Sequence, residues 1–149
     1  MISLNLEELI EKIEKNDRGA INNLEEIIIK NYKEEKFNNE YNNLLDKVEK
    51  NGMLLNIIGE IYENKCYDLE KAYEFYTKSC ENNNFTAKCN IARWYEQGIF
   101  FKKNIEKAIE IYNILAKAEH PVSLYRLGHL YDLGEEVPKD LEKAKEYYQ

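Results

Sequence analysis

Proline occurs twice and glycine six times in 149 residues, so little in the chain forces a helix to stop. That scarcity favours long helices over a strand-rich fold. Cysteine is nearly as rare. Cys66, Cys80 and Cys89 are odd in number and show no C-x-x-C spacing, which argues against a zinc site or a complete disulfide framework. Histidine occurs only at His120 and His129, neither with an i,i+4 partner or an H-E-x-x-H context, so metal binding has little support. No Gly-rich phosphate loop is present, no cofactor is expected, and no apolar run approaches the length of a membrane span. Basic patches are missing too. A formal charge of −7, with acid along both halves, disfavours nucleic acid or an anionic membrane as a partner. A basic protein surface suits this chain better, because opposite charge speeds encounter. The same acid also keeps a protein soluble with no partner implied.

The opening stretch MISLNLEELIEKIEKND reads as an amphipathic acidic helix rather than a charged head before an apolar core. A secretory leader is therefore not expected; a cytoplasmic location with reduced cysteines is. Asn84-Phe85-Thr86 matches a glycosylation acceptor, which without a secretory route should stay unmodified.

What is present is a repeat. Tyr112 and Tyr148 lie 36 residues apart, as do Lys107-Ala108 and Lys143-Ala144, Ala92 and Gly128, and Tyr95 and Tyr131. One step further back stand Gly59, Tyr62, Lys71-Ala72 and Tyr76, with three residues missing between Tyr62 and Lys71. A period of this size means stacked supersecondary units. Each unit predicts a helix A and a helix B, with Asp68, Asn104 and Asp140 as caps of the B helices. Inward positions in the first unit are Leu54, Leu55, Ile58, Gly59, Ile61 and Tyr62, then Leu69, Ala72, Tyr73, Phe75 and Tyr76. In the second unit Trp94 is a core residue, beside Ile91, Ala92 and Tyr95. Pro121 suits the first turn of the third unit's helix A, with His120 as its entry residue. The recurring small residues Gly59, Ala92 and Gly128, and the alanines 72, 108 and 144, let the two helices of a pair approach closely, while tyrosines fill the space between pairs.

Three earlier helices match the repeat loosely. The first carries Leu6, Leu9, Ile10 and Ile13 behind an Asn5–Glu8 start signal. The second, capped by Asp17, carries Ile21, Leu24, Ile27 and Ile28 to about Tyr32, and the third runs from about Glu34 to Lys50 with Phe37, Tyr41, Leu44, Leu45 and Val48. Asn51-Gly52 tolerates positive φ and suits the end of that helix. The expected organisation is an N-terminal cap and degenerate repeat over 1–52, then three repeats at 53–86, 87–122 and 123–149, in one continuous domain. The fold expected is all-α, a right-handed solenoid of about nine helices in antiparallel pairs.

Residues 123–148 read SLYRLGHLYDLGEEVPKDLEKAKEYY, in which L-G-x-L-Y-x-x-G, a short acidic turn with V-P-K-D, and K-A-x-x-Y-Y stand in order. This pattern resembles the Sel-one-like repeat (SLR), a relative of the tetratricopeptide repeat. The second unit keeps most of it but has Ala92 for the first glycine; the first keeps Gly59 and loses the second glycine. The resemblance implies a right-handed superhelix that holds other proteins in assemblies, with helix A on the concave side. Carried over by position, the groove presents Asn56, Glu60 and Glu63, then Cys89, Arg93 and Glu96, then Tyr125, His129 and Asp132. Arg93, Tyr125 and His129 are the expected anchors, and the carboxylates Glu60, Glu63, Glu96 and Asp132 steer a basic segment. The same face can equally be the solvated side of three helices.

A protein-interaction scaffold without catalysis is thus the expected function, and an inhibitor or immunity-type protein that masks a toxic enzyme is the alternative. A secreted, cysteine-rich branch of the family is linked to β-lactam binding and hydrolysis, a third reading. Such acyl transfer is commonly written S-x-x-K, which Ser3, Ser79 and Ser123 all lack; the nearest match is Ser123-Leu-Tyr-Arg126. That branch also pairs cysteines in each repeat, and only Cys80 and Cys89 resemble such a pair, with Cys89 one residue out of register. Leu141, Ala144 and Tyr148 in the last helix have no following unit to cover them, so either the chain pairs weakly end to end as a homodimer or a further helix belongs after it.

Overall fold

The computed structural model describes residues 5–34 and 39–149, and every regular element among them is helical. Contacts divide the chain into two compact units, Met1–Asn83 and Asn84–Gln149. No described helix is long and apolar enough to cross a membrane.

The first unit holds α1 (Leu6–Glu14), α2 (Arg18–Glu34), α3 (Asn39–Val48), α4 (Gly52–Ile61) and α5 (Leu69–Glu81). Its start signals are used as expected: Asn5 accepts from the Glu7 N–H at 3.1 Å and Asp17 from the Ala20 N–H at 3.0 Å. The expected third helix begins later than Glu34, because α2 itself runs to Glu34; Phe37 lies outside the described residues. Asn51 corrects the expectation of a left-handed helix end. Its φ is −106°, and its side chain caps α4 by accepting from the Leu54 N–H at 3.1 Å. Leu9, Ile13, Leu24, Ile28, Leu44 and Val48 are buried, at the helical spacing that marked them in the sequence.

The second unit holds α6 (Phe85–Gln97), α7 (Ile105–Lys117), α8 (Pro121–Leu133) and α9 (Leu141–Tyr148). Here and in α4–α5 the repeat becomes physical. Helices α4, α6 and α8 are the A helices; α5, α7 and α9 are the B helices. Asp68, Asn104 and Asp140 cap the B helices by accepting from the N–H groups of Lys71, Lys107 and Lys143 at 2.9, 2.9 and 3.0 Å. Each lysine so placed sets its ammonium over a helix A tyrosine: Lys71 over Tyr62 at 5.4 Å, Lys107 over Tyr95 at 4.6 Å, Lys143 over Tyr131 at 4.3 Å. The next residue, Ala72, Ala108 or Ala144, is buried. The repeated K-A pair therefore both seats a cation on a ring and lets the helix sit close.

Helix pairs meet where a tyrosine lies on a small residue. A Cβ at Gly59 would come 2.7 Å from the Tyr76 ring, and one at Gly128 would come 2.6 Å from Tyr148. Ala92 stands at the same register position and is fully buried. Trp94 is fully buried as well, with Phe100 and Phe101 at 5.4 and 6.4 Å between centroids. Phe101 stacks on Tyr95 at 4.2 Å. The A helices of the second unit end in left-handed glycines, Gly98 at φ 66° and Gly134 at φ 69°. In the first unit, which lacks that glycine and three loop residues, a π-turn over Tyr62–Cys66 takes up the difference and Tyr67 carries the left-handed conformation at φ 56°. Of the three residues expected to lie uncovered in α9, Leu141 and Tyr148 are half exposed, but Ala144 is buried at 2%. Tyr73, expected inside, is only half-buried.

Candidate partner-binding face

The A helices carry eight of the nine residues picked out for recognition, with Glu63 in the π-turn that follows α4, and the structure sorts them into three groups. In the first unit, Asn56 is withdrawn from the surface at 6% exposure, and its Nδ2 donates to Glu60 Oε1 at 3.1 Å. Helical i,i+4 spacing brings the two side chains together, so Asn56 is a support for Glu60 rather than an open contact. Glu63 accepts the Tyr76 hydroxyl at 2.6 Å.

In the second unit, Cys89 is likewise buried, at 5% exposure, which corrects its placement on an open face. The Ser123 hydroxyl donates to its sulfur at 3.6 Å and lies 3.0 Å from His120 Nδ1. Cys, Ser and His in a row invite a catalytic reading. Burial, however, pushes the Cys89 thiol above its ordinary range, and Ser123 has no exposure at all. The row is a packing cluster in which the thiol and the hydroxyl are buried and His120 is half-buried. His120 is the N-cap of α8, with burial holding its imidazole below the usual range.

Glu96 repeats the part played by Glu63, accepting the Tyr112 hydroxyl at 2.7 Å. It also faces the Arg126 guanidinium at 3.8 Å, and its side chain is only 13% exposed. A carboxylate expected to steer a partner is thus engaged within its own unit. Tyr112→Phe removes that donor and should lower stability by about 1–2 kcal/mol, read as a shift in the urea midpoint with the slope unchanged.

The third group is open. Tyr125 is 57% exposed and stacks on His129 at 5.9 Å, with 25° between the rings. Tyr148 lies 6.1 Å from Tyr125 on its other side. Asp132 is exposed, and Arg93 is half-buried on α6. His129 also lines a cavity of about 310 Å³, with Glu96, Ile105, Leu130, Leu133 and Glu135 among others. Two members of this surface, Arg126 and Tyr148, were not among the expected partner contacts, although Tyr148 was expected to lie uncovered. Arg126 has Asn90 and Ile57 at its equivalent positions, so periodicity hides it; its pairing with Glu96, one unit earlier, becomes visible only once the helices are stacked. Among the described residues no three His, Cys, Asp or Glu side chains converge as a metal would need.

Exposed Tyr125, half-buried His129 and exposed Asp132 thus share one face of a helix whose other side is packed. Paired helices with a constant inner face and a variable outer one define a helical-repeat protein. The particular repeat is settled by comparison: the Sel1 repeat family model matches residues 65–84, 86–120 and 121–149, more than half of the chain, and the chain belongs to that family. It is similar to the ERAD-associated E3 ubiquitin-protein ligase component HRD3B of Arabidopsis thaliana, at 25% identity over 105 residues, 70% of this chain and 17% of that protein. It also resembles chitin synthase regulatory factor 3 of Schizosaccharomyces pombe, at 29% identity over 89 residues, 59% of this chain and 9% of that protein. The chain thus spans less than a fifth of the length of either relative. A crystal structure of a Sel1 repeat protein from Oxalobacter formigenes shares the fold, with a TM-score of 0.58 at 24% identity, covering 70% of this chain and 82% of that one.

Proposed function

We propose that this protein is a non-catalytic scaffold whose helix A surfaces hold a partner protein. The observation that carries the reading is the stack of exposed Tyr125 on half-buried His129 on α8, beside exposed Asp132 and outside a packed inner face. Exposed aromatic area is unfavourable in water, and a partner that covers it removes that cost. Arg93, Tyr125 and His129 are the anchors in the second unit, with Asp132 and the outer edge of Glu96 at the rim; Glu60 and Glu63 are the first unit's own contribution. The repeat boundaries 53–86, 87–122 and 123–149 follow the same surface logic, one A helix to each. The names of the relatives support the reading, since one is a component of a ligase assembly and another a regulatory factor. The hydrolase alternative lacks an accessible nucleophile among the described serines, because Ser79 and Ser123 are both at 0% exposure. Ser3 lies outside the described residues.

Affinity capture from native lysate tests the proposal. The wild-type chain retains a specific protein, and Arg93→Glu/Tyr125→Ala loses it while keeping the wild-type circular dichroism spectrum. Equal recovery by both forms moves the site off this face.

A further inference from the structure

The cavity of about 310 Å³ in the second unit is walled by the ends of α6 and α8, the turns that follow them and the start of α7. No residue of α9 lines it, so the opening belongs to the inside of the repeat rather than to the last helix. Ile105, Leu130 and Leu133 make its apolar side, and Leu133 is 48% exposed. Its charge is one-sided. Three carboxylates, Glu96, Glu135 and Glu136, stand against a single ammonium, that of Lys103. Two of the three are already matched. Glu136 pairs with Lys103, which ties the turn after α6 to the turn after α8. Glu96 faces the Arg126 guanidinium and accepts the Tyr112 hydroxyl. Glu135 is exposed and has no ion pair among the described residues.

We infer that this cavity takes one long basic side chain, lysine or arginine, of a partner protein, with the stem on Leu130, Leu133 and Ile105 and the charged head on Glu135. Its size sits at the lower end of small-ligand clefts, about 300–1,000 Å³, which suits one side chain and not a whole helix. Lysine and arginine combine the two properties the lining asks for, since their methylene stems cover apolar surface while the head stays at a polar edge. The head then meets an unmatched carboxylate, a charge-assisted contact that an acidic side chain cannot make. The same wall already holds one ammonium of this kind, that of Lys103 on Glu136. His129 lines the cavity and stacks on Tyr125, so the cavity continues the face proposed above. Each copy of this chain carries −7, which disfavours a second copy as the occupant. The inference names the chemistry of that partner, and it rests on the proposed function for the partner's being a protein.

The test is an NMR titration of the isotope-labelled chain with blocked pentapeptides, Gly-Ser-X-Ser-Gly, in which X is arginine, lysine, norleucine or glutamate. The basic peptides shift the amides of residues 129–136 and bind about fivefold or more tighter than the norleucine peptide, which has the stem without the charge. The glutamate peptide leaves those amides in place. Glu135→Gln, at an exposed position, removes the preference for a basic residue over norleucine. Leu133→Ser weakens the basic and norleucine peptides together and keeps the preference. Equal affinity for basic and norleucine peptides, a preference that survives Glu135→Gln, or no binding by any peptide overturns the inference. So do shifts of the same amides with protein concentration alone that Glu135→Gln abolishes, since they give the cavity to a second copy. Lysate capture that Arg93→Glu/Tyr125→Ala abolishes and Glu135→Gln leaves intact sustains the scaffold function and overturns this inference alone.

Discussion

Trp94→Ala is expected to lower stability by about 3–5 kcal/mol, one of the largest losses from a single side chain in the second unit. Trp94 has no exposure and is the only tryptophan, so the substitution leaves a cavity that no polar group can fill. Its neighbours cannot close that space easily. Phe100 lies 5.4 Å from its centroid and Phe101 is stacked on Tyr95 at 4.2 Å, so inward movement of Phe101 breaks a second contact. The other A helices use Ile61 and Leu130 at this position, which makes Trp94→Leu the milder change. Urea titrations followed by circular dichroism, which does not depend on the lost fluorophore, give both values. A loss near that of an ordinary surface substitution would show that the GIFF turn after α6 is loosely packed.

Gly59→Val is expected to cost about 3 kcal/mol, and Gly128→Val well under half as much. The two glycines occupy one register position and meet the same partner, a helix B tyrosine, at 2.7 and 2.6 Å from an added Cβ. What differs is whether the tyrosine can move. Tyr76 has no exposure and holds Glu63 through its hydroxyl, while Tyr148 is 47% exposed. The strain at Gly59 must therefore go into the α4–α5 pair, whereas at Gly128 it is relieved by turning a ring toward solvent. Ala92 shows that a methyl group fits where the pair is built for it. Thermal denaturation of the two variants decides the matter; equal losses would mean that Tyr148 is as fixed as Tyr76.

The sequence carried the packing and concealed the surface, for one physical reason. Residues that hold helices together must satisfy the same geometry in each unit, so Gly59 and Gly128, Tyr76 and Tyr112, or Lys107 and Lys143 recur at a fixed step and are readable without a structure. The caps at Asp68, Asn104 and Asp140 were legible on the same ground. The π-turn at Tyr62–Cys66 was not, because a deletion shows only that something is missing. Face assignment was harder still. Asn56 and Cys89 share helix A with true surface positions, and a helix turn of 100° per residue leaves such borderline places undecided until the neighbouring helix is present. Arg126 reaches Glu96 across a pair, a fact local to no stretch of sequence, whereas the exposure of Tyr148 was already expected from the repeat.

The central claim is that packing and recognition reside in different residues of the same helices. It is tested most directly by measuring the affinity of the captured partner for the wild-type chain, Tyr112→Phe and Tyr125→Ala by calorimetry, with the melting temperature of each. The account predicts that Tyr112→Phe melts earlier and binds with the wild-type Kd, while Tyr125→Ala melts as the wild type does and binds at least several-fold more weakly. Wild-type affinity in Tyr125→Ala, or a loss of affinity in Tyr112→Phe that exceeds it, would contradict the claim.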